Sequence, residues 1–120
     1  MLLTGFASLC ISPALARAEA TSPVNLDRES AIRAGVSLQI VDLALNAVTC
    51  GIASGEFAAP PTLTVIDYSL PSAQPRLWVF DLRSGQLLFK ELVAHGRNSG
   101  VAVATQFSDE SGSRQSSLGL

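Results

Sequence analysis

The chain has 120 residues, which is enough for one domain and too few for two separate hydrophobic cores. Its 8 basic and 10 acidic residues give a net charge of −2 and form no runs of one sign. This excludes the strongly basic surface that nucleic acids and anionic membranes require, and we expect neither as a partner.

Residues 1–20 have the composition of an export signal. An apolar run from Leu2 to Ile11 is followed by alanines at alternate positions from Ala14 to Ala20, a pattern that suits a signal peptidase. The run is shorter than the roughly 20 apolar residues that span a bilayer, so no transmembrane segment is predicted. We interpret residues 1–20 as a signal peptide and expect an exported protein of the periplasm or cell envelope.

The periodicity of residues 28–51 predicts a helix. One stripe of apolar residues recurs at steps of three and four. Its members are Ile32, Val36, Ile40, Leu43, Ala47 and Cys50. A second stripe indicates that the helix is covered on two sides. Its members are Leu38, Val41, Leu45 and Val48. Asp27 is expected to cap the helix, Gly35 to bend or break its first turns, and Gly51 to end it.

Two cysteines are present, and they do not predict a disulfide within the mature chain. Cys10 lies inside the predicted signal peptide, so cleavage leaves Cys50 alone. The predicted helix ends beside Cys50, where the helix dipole disfavours a thiolate, and no histidine is near in sequence. We interpret Cys50 as a packed, inert side chain, with a nucleophile as the alternative.

Three β-rich segments follow the linker 54–61 and predict strands at 62–70, 76–82 and 86–94. Between the second and third, Arg83, Ser84 and Gly85 fit a short hairpin turn with Gly85 at positive φ, so these two strands should pair antiparallel. Alternating residues of the second strand are apolar on both faces, which predicts a central strand buried on both sides. They are Trp78, Phe80 and Leu82 on one face, and Leu77 and Val79 on the other.

The remaining sequence changes character. Residues 108–117 are almost wholly polar and predict a long loop, after which residues 118–120 read as the start of another strand. One histidine and one mature cysteine cannot supply a typical metal site. The chain also has no serine-nucleophile turn and no phosphate-binding glycine spacing. We predict no metal and no cofactor.

The single histidine, His95, stands between an apolar run and two glycines. It could be a general base, a metal ligand or part of a turn. Composition alone favours a side chain at a strand end that hydrogen-bonds to the loop after it.

Seven short strings occur in a characteristic order along the chain. They are ALNA (44–47), DYSLPS (67–72), RLWVFDL (76–82), VAHGRNSG (93–100), FS (107–108), GS (112–113) and SSLG (116–119). In this order they resemble the murein L,D-transpeptidase catalytic-domain family, a branch related to the YkuD-like transpeptidases. The resemblance runs from about residue 43 to residue 120.

The resemblance implies an α+β fold, in which an N-terminal helix packs on a β-rich, YkuD-like domain that is truncated after its first strands. The implied organisation is a signal peptide at 1–20, a helical segment and linker at 21–61, and the first, incomplete part of the domain at 62–120. It also implies a peptidoglycan stem peptide as partner and cross-linking of the cell wall by acyl transfer, in which a cysteine thiolate attacks a peptide carbonyl.

The catalytic residues of the family do not transfer to this sequence. Members carry the cysteine in a segment resembling W-G-C-P and a histidine in a strand resembling V-I-H-G, and neither string occurs here. No catalytic residue is therefore predicted, and the 120 residues are expected to be inactive by themselves. Two alternatives are a non-catalytic envelope module that binds peptidoglycan or a protein partner, and the product of a gene cut short.

Eight positions match family positions that could shape a substrate cleft. They are His95, Gly96, Asn98, Ser99, Gly100, Ser116, Ser117 and Gly119. We take them as candidate substrate-binding residues. The alternative is that these glycines and serines only satisfy turns beside the third strand.

Overall fold

A computed structural model describes residues 24–119, and the predicted signal peptide lies outside the described residues. Two helices precede three strands, which confirms the predicted α+β class. The elements are α1 (Arg28–Arg33), α2 (Leu38–Ala53), β1 (Thr62–Ile66), β2 (Leu77–Asp81) and β3 (Leu87–Glu91). The strands form one antiparallel sheet in the order β1-β2-β3. All three strands are confirmed, each shorter than predicted, and residues 118 and 119 belong to none.

The predicted helix is two helices because the chain turns at Gly35, where φ is +100°. Asp27 caps α1 as predicted, since its carboxylate accepts a hydrogen bond of 2.7 Å from the backbone N–H of Ser30. This bond, with a second from the Ser30 hydroxyl, lowers the pKa of Asp27. Ser37 then caps α2 by accepting from the N–H of Ile40. The sequence therefore starts a second helix with its own cap.

The prediction that Gly51 ends the helix is wrong. Gly51 is helical and buried. The ring of Phe57 packs on its bare Cα, and a side chain there would collide with that ring. The helix runs on to Ala53, and the chain reverses at Gly55, where φ is +75°. Gly51 serves close packing, and Gly55 takes the conformation expected after a helix C-terminus.

Of the two predicted apolar stripes, the second supplies the buried side chains of α2. Val41 and Val48, of the second stripe, are 2% and 1% exposed. Leu43 and Cys50, of the first stripe, lie exposed on the outer side. The prediction of a packed Cys50 and of cover on two sides is therefore wrong, since the outer side of α2 with Leu43 and Cys50 stays exposed within residues 24–119.

The central strand β2 supplies the largest apolar side chains of the core. Trp78, Phe80 and Leu82 are at most 1% exposed and pack against the helices, as predicted. On the other face Leu77 and Val79 are only half-buried, so the prediction that β2 is buried on both sides is wrong there. No element within residues 24–119 packs over this second face.

The β2–β3 turn follows the predicted chemistry. Gly85 has φ +71°, and the Asp81 carboxylate accepts the backbone N–H groups of Ser84 and Arg83 at 2.9 Å and 2.7 Å. These hydrogen bonds, that of Ser84 first, lower the pKa of Asp81. The turn is thus held by its own side chain.

One backbone carbonyl at the end of α1 accepts hydrogen bonds from two strands of the sheet. The Ala34 carbonyl, at the end of α1, accepts from the indole Nε1–H of Trp78 and from Nζ of Lys90, both at 3.0 Å. The cation lies where the helix dipole is negative, and it also lies 5.8 Å from the centre of the Trp78 ring. Strands β2 and β3 therefore both bind the end of α1.

Candidate functional site

Residues 92–119 form loops at the end of the sheet where β3 finishes. Two of these loops, 95–100 and 113–117, hydrogen-bond to each other, and we call them together the loop cluster. It brings together six of the eight candidate residues, namely His95, Gly96, Asn98, Ser99, Gly100 and Ser116. Ser117 bonds instead to the Ser108 carbonyl, and Gly119 has nothing within 4 Å of where a side chain would start.

Two serines close the loop cluster reciprocally. The Ser99 hydroxyl, fully buried, accepts from the backbone N–H of Ser116 at 2.8 Å. The Ser116 hydroxyl accepts from the backbone N–H of Gly96 at 2.9 Å. Each loop thus satisfies a backbone donor of the other, and Ser99 has no contact with water.

We expect Ser99→Ala to lower the free energy of unfolding by about 1–3 kcal/mol, because it leaves the Ser116 N–H buried without an acceptor. Urea unfolding followed by circular dichroism measures this. Ser117→Ala is the matched control, since that hydroxyl is exposed and should change stability by less than about 0.5 kcal/mol. Equal stability of the two variants would contradict a structural role for Ser99.

The two loops approach each other so closely at Gly96 that a larger residue does not fit there. A Cβ atom there would lie 2.5 Å from the carbonyl oxygen of Arg114 and 2.7 Å from the backbone nitrogen of Ser116. Gly100 has φ +155° and faces the Val103 carbonyl in the same way. Both glycines therefore allow close backbone contacts, and any larger residue would push the contacting segments apart.

His95 uses both of its ring nitrogens. Nδ1 lies 2.8 Å from Nη2 of Arg76, and Nε2 lies 3.1 Å from the carbonyl oxygen of Gly100. A guanidinium can only donate, so Nδ1 accepts and Nε2–H donates to the carbonyl. The interpretation that His95 hydrogen-bonds to the following loop is confirmed, and this geometry leaves no ring nitrogen free to act as a base.

Arg76 is the residue of this region that the sequence analysis missed. Its side chain is fully buried and donates to the Leu70 carbonyl at 2.8 Å, to the Val93 carbonyl at 3.1 and 2.8 Å, and to His95. The guanidinium also lies 5.2 Å from the centre of the Tyr68 ring. Within residues 24–119 it has no carboxylate partner. The signal available in the sequence was that this arginine is the first residue of a predicted strand that is otherwise mostly apolar.

The described part of the chain contains neither a metal-ligand cluster nor a membrane-spanning helix. Nowhere in residues 24–119 do three His, Cys, Asp or Glu side chains lie close enough to hold a metal ion. In that part of the chain no helix has the length and apolar character needed to cross a bilayer.

Comparison with known proteins gives one match. The L,D-transpeptidase catalytic domain family matches residues 32–120, a range that includes α2, the whole sheet and the loop cluster. No curated protein and no solved structure matches the chain significantly.

Proposed function

Because the chain belongs to the L,D-transpeptidase catalytic domain family, we propose that its loop cluster forms one side of a binding site for peptidoglycan stem peptides in the cell envelope. The observation that carries this proposal is the family match, which spans the loop cluster together with the strand that positions it. The export-signal composition of residues 1–20 supports the proposed location.

The loop cluster has features that suit a peptide ligand. It is built on a rigid sheet, since Arg76 at the head of β2 binds both the loop before β2 and the segment after β3. Its exposed residues include Arg97, Asn98 and Arg114, whose side chains carry groups that can hydrogen-bond to a peptide. Binding sites are commonly loops held by such a scaffold.

We also propose that these 120 residues do not catalyse transpeptidation by themselves. The family reaction needs a cysteine thiolate and a proton acceptor. Cys50 is exposed on the outer side of α2, and His95 has both nitrogens engaged. Neither is placed as an activated nucleophile or base.

The test incubates the chain with a synthetic stem tetrapeptide and with purified murein sacculi. We expect co-sedimentation with sacculi and no thioester adduct in the intact-protein mass spectrum. Gly96→Ala, which forces the two loops apart, should abolish sedimentation, whereas Thr62→Ala on the exposed edge of β1 should not. An adduct on Cys50 would overturn the proposed lack of activity, and sedimentation unaffected by Gly96→Ala would overturn the proposed site.

A non-catalytic module that binds a protein partner is the second candidate. Every residue of β3 is exposed, and Leu88 and Phe89 are 44% and 58% exposed on an edge strand. Such an edge presents unpaired backbone groups beside apolar side chains and is suited to docking. Phe89→Asp should abolish binding of the protein partner if this candidate is correct. It should leave sedimentation with murein sacculi unchanged if the loop cluster is the site.

A further inference from the structure

Two arginines lie on the adjoining segments of the loop cluster. Arg97 lies on one loop and Arg114 on the other, and both side chains are exposed. The backbone N–H of Asn98 donates to the Arg114 carbonyl at 3.0 Å, and Asn98 Nδ2 donates to the Ser113 carbonyl at 2.9 Å. Asn98 therefore holds the two arginine-bearing segments side by side.

Neither arginine has a partner among residues 24–119. The ion pairs there join Arg28 to Asp42 and Arg33 to Glu29. Arg76 and Lys90 have their charges satisfied by carbonyl groups. In the same range the guanidinium groups of Arg97 and Arg114 form no hydrogen bond, ion pair or ring contact, and the acidic side chains at 109 and 110 are not paired with them.

The backbone at Arg114 is unusual. Its φ is +58°, and within residues 24–119 it is the one residue other than glycine with positive φ. A residue with a Cβ atom is disfavoured there by roughly 1 kcal/mol. Strain of this kind is often retained where a side chain must be presented to a ligand.

We infer that Arg97 and Arg114 form a carboxylate-binding pair that recognises an acidic side chain or terminus of the bound peptide. The inference rests on the proposed function for the class of ligand. Guanidinium groups bind carboxylates through paired hydrogen bonds, and two of them on adjoining loops can hold one carboxylate from both sides. Asn98 acts as a positioning residue that sets their spacing.

The experiment titrates the 120-residue chain with an acetylated, amidated Glu-Ala-Glu peptide at low ionic strength, and follows the backbone amide signals of Asn98 and Arg114 by NMR. We expect Arg97→Gln and Arg114→Gln each to weaken binding roughly tenfold, and added salt to weaken it further. Arg83→Gln is the matched control, because Arg83 is equally exposed but lies at the opposite end of β3. The neutral Gln-Ala-Gln peptide should not bind.

Three results would overturn the inference. They are unchanged affinity in both site variants, an equal loss in Arg83→Gln, and binding of inorganic phosphate without binding of the acidic peptide. Sedimentation with sacculi separates this inference from the proposed function. If sacculi retain the wild type and both arginine variants alike, the peptide site stands and the arginine pair does not. If sacculi retain no form while the acidic peptide still needs both arginines, the pair stands and the peptidoglycan ligand does not.

Discussion

Arg76→Met is expected to lower the free energy of unfolding by about 3–5 kcal/mol, because each of three acceptors that loses its donor costs about 1–3 kcal/mol. The side chain is fully buried, and its guanidinium supplies donors to the carbonyls of Leu70 and Val93 and to Nδ1 of His95. Methionine fills similar space but donates nothing, so three buried acceptors lose their partners. Urea unfolding followed by circular dichroism measures the change.

An opposing effect must be weighed, because removing a buried charge also removes the cost of desolvating it. Replacing a whole buried ionic group by apolar residues can be neutral or stabilising. That result requires both partners to be replaced, and here two of the acceptors are backbone carbonyls, which no side-chain substitution removes. The cost of the unpaired acceptors therefore outweighs the relieved desolvation, and the free energy of unfolding of the variant falls.

Two further variants test this explanation. Arg76→Lys keeps the charge, but a single ammonium cannot reach acceptors in three directions, so an intermediate loss is expected. Arg83→Met removes an exposed arginine and should change stability by less than about 0.5 kcal/mol. If Arg76→Met is as stable as the wild type, the loops around His95 do not depend on the guanidinium.

The β half of the fold could be predicted from the sequence because its signals are local. A continuous apolar run at residues 77–80 marks β2, and the turn at residues 83–85 needs only a glycine at positive φ and a carboxylate at Asp81. The helical half was harder to predict, because the sequence carries two apolar stripes and either of them could face the core. Which stripe is buried depends on how α2 packs in the folded chain, and the spacing of residues within the helix does not encode that.

The contacts of the loop cluster could not be predicted from the sequence, because they join residues far apart along the chain. Ser99 and Ser116 are 17 residues apart, and Arg76 and His95 are 19 apart. No periodicity encodes such pairs, because they depend on how the sheet directs its connecting loops. A buried arginine is visible only once the pairing of its strand is known.

Trp78→Ala is expected to lower the free energy of unfolding by about 3–5 kcal/mol, through lost burial and the cavity left behind. Trp78 is 1% exposed and lies on the central strand, where it packs beneath both helices. It is also the single tryptophan of the chain, so its fluorescence reports directly on the core. Emission of the wild type should be that of a buried indole and should shift to longer wavelength on unfolding.

The indole N–H can be separated from the bulk of the ring. Trp78→Phe keeps most of the packing but removes the donor to the Ala34 carbonyl, and Lys90 still donates to the same oxygen. A loss of about 1–2 kcal/mol is therefore expected for Trp78→Phe, and a smaller one for Lys90→Met, whose ammonium is exposed.

The double variant discriminates between packing and a shared acceptor. If the two donors matter because they satisfy one carbonyl, Trp78→Phe with Lys90→Met should cost more than the sum of the single losses, by about 0.5–1 kcal/mol, since the oxygen then loses its last partner. Urea unfolding followed by circular dichroism gives all three values. Additive losses would mean that each side chain acts through its own packing, and that the end of α1 is held to the sheet by contacts other than the Ala34 carbonyl.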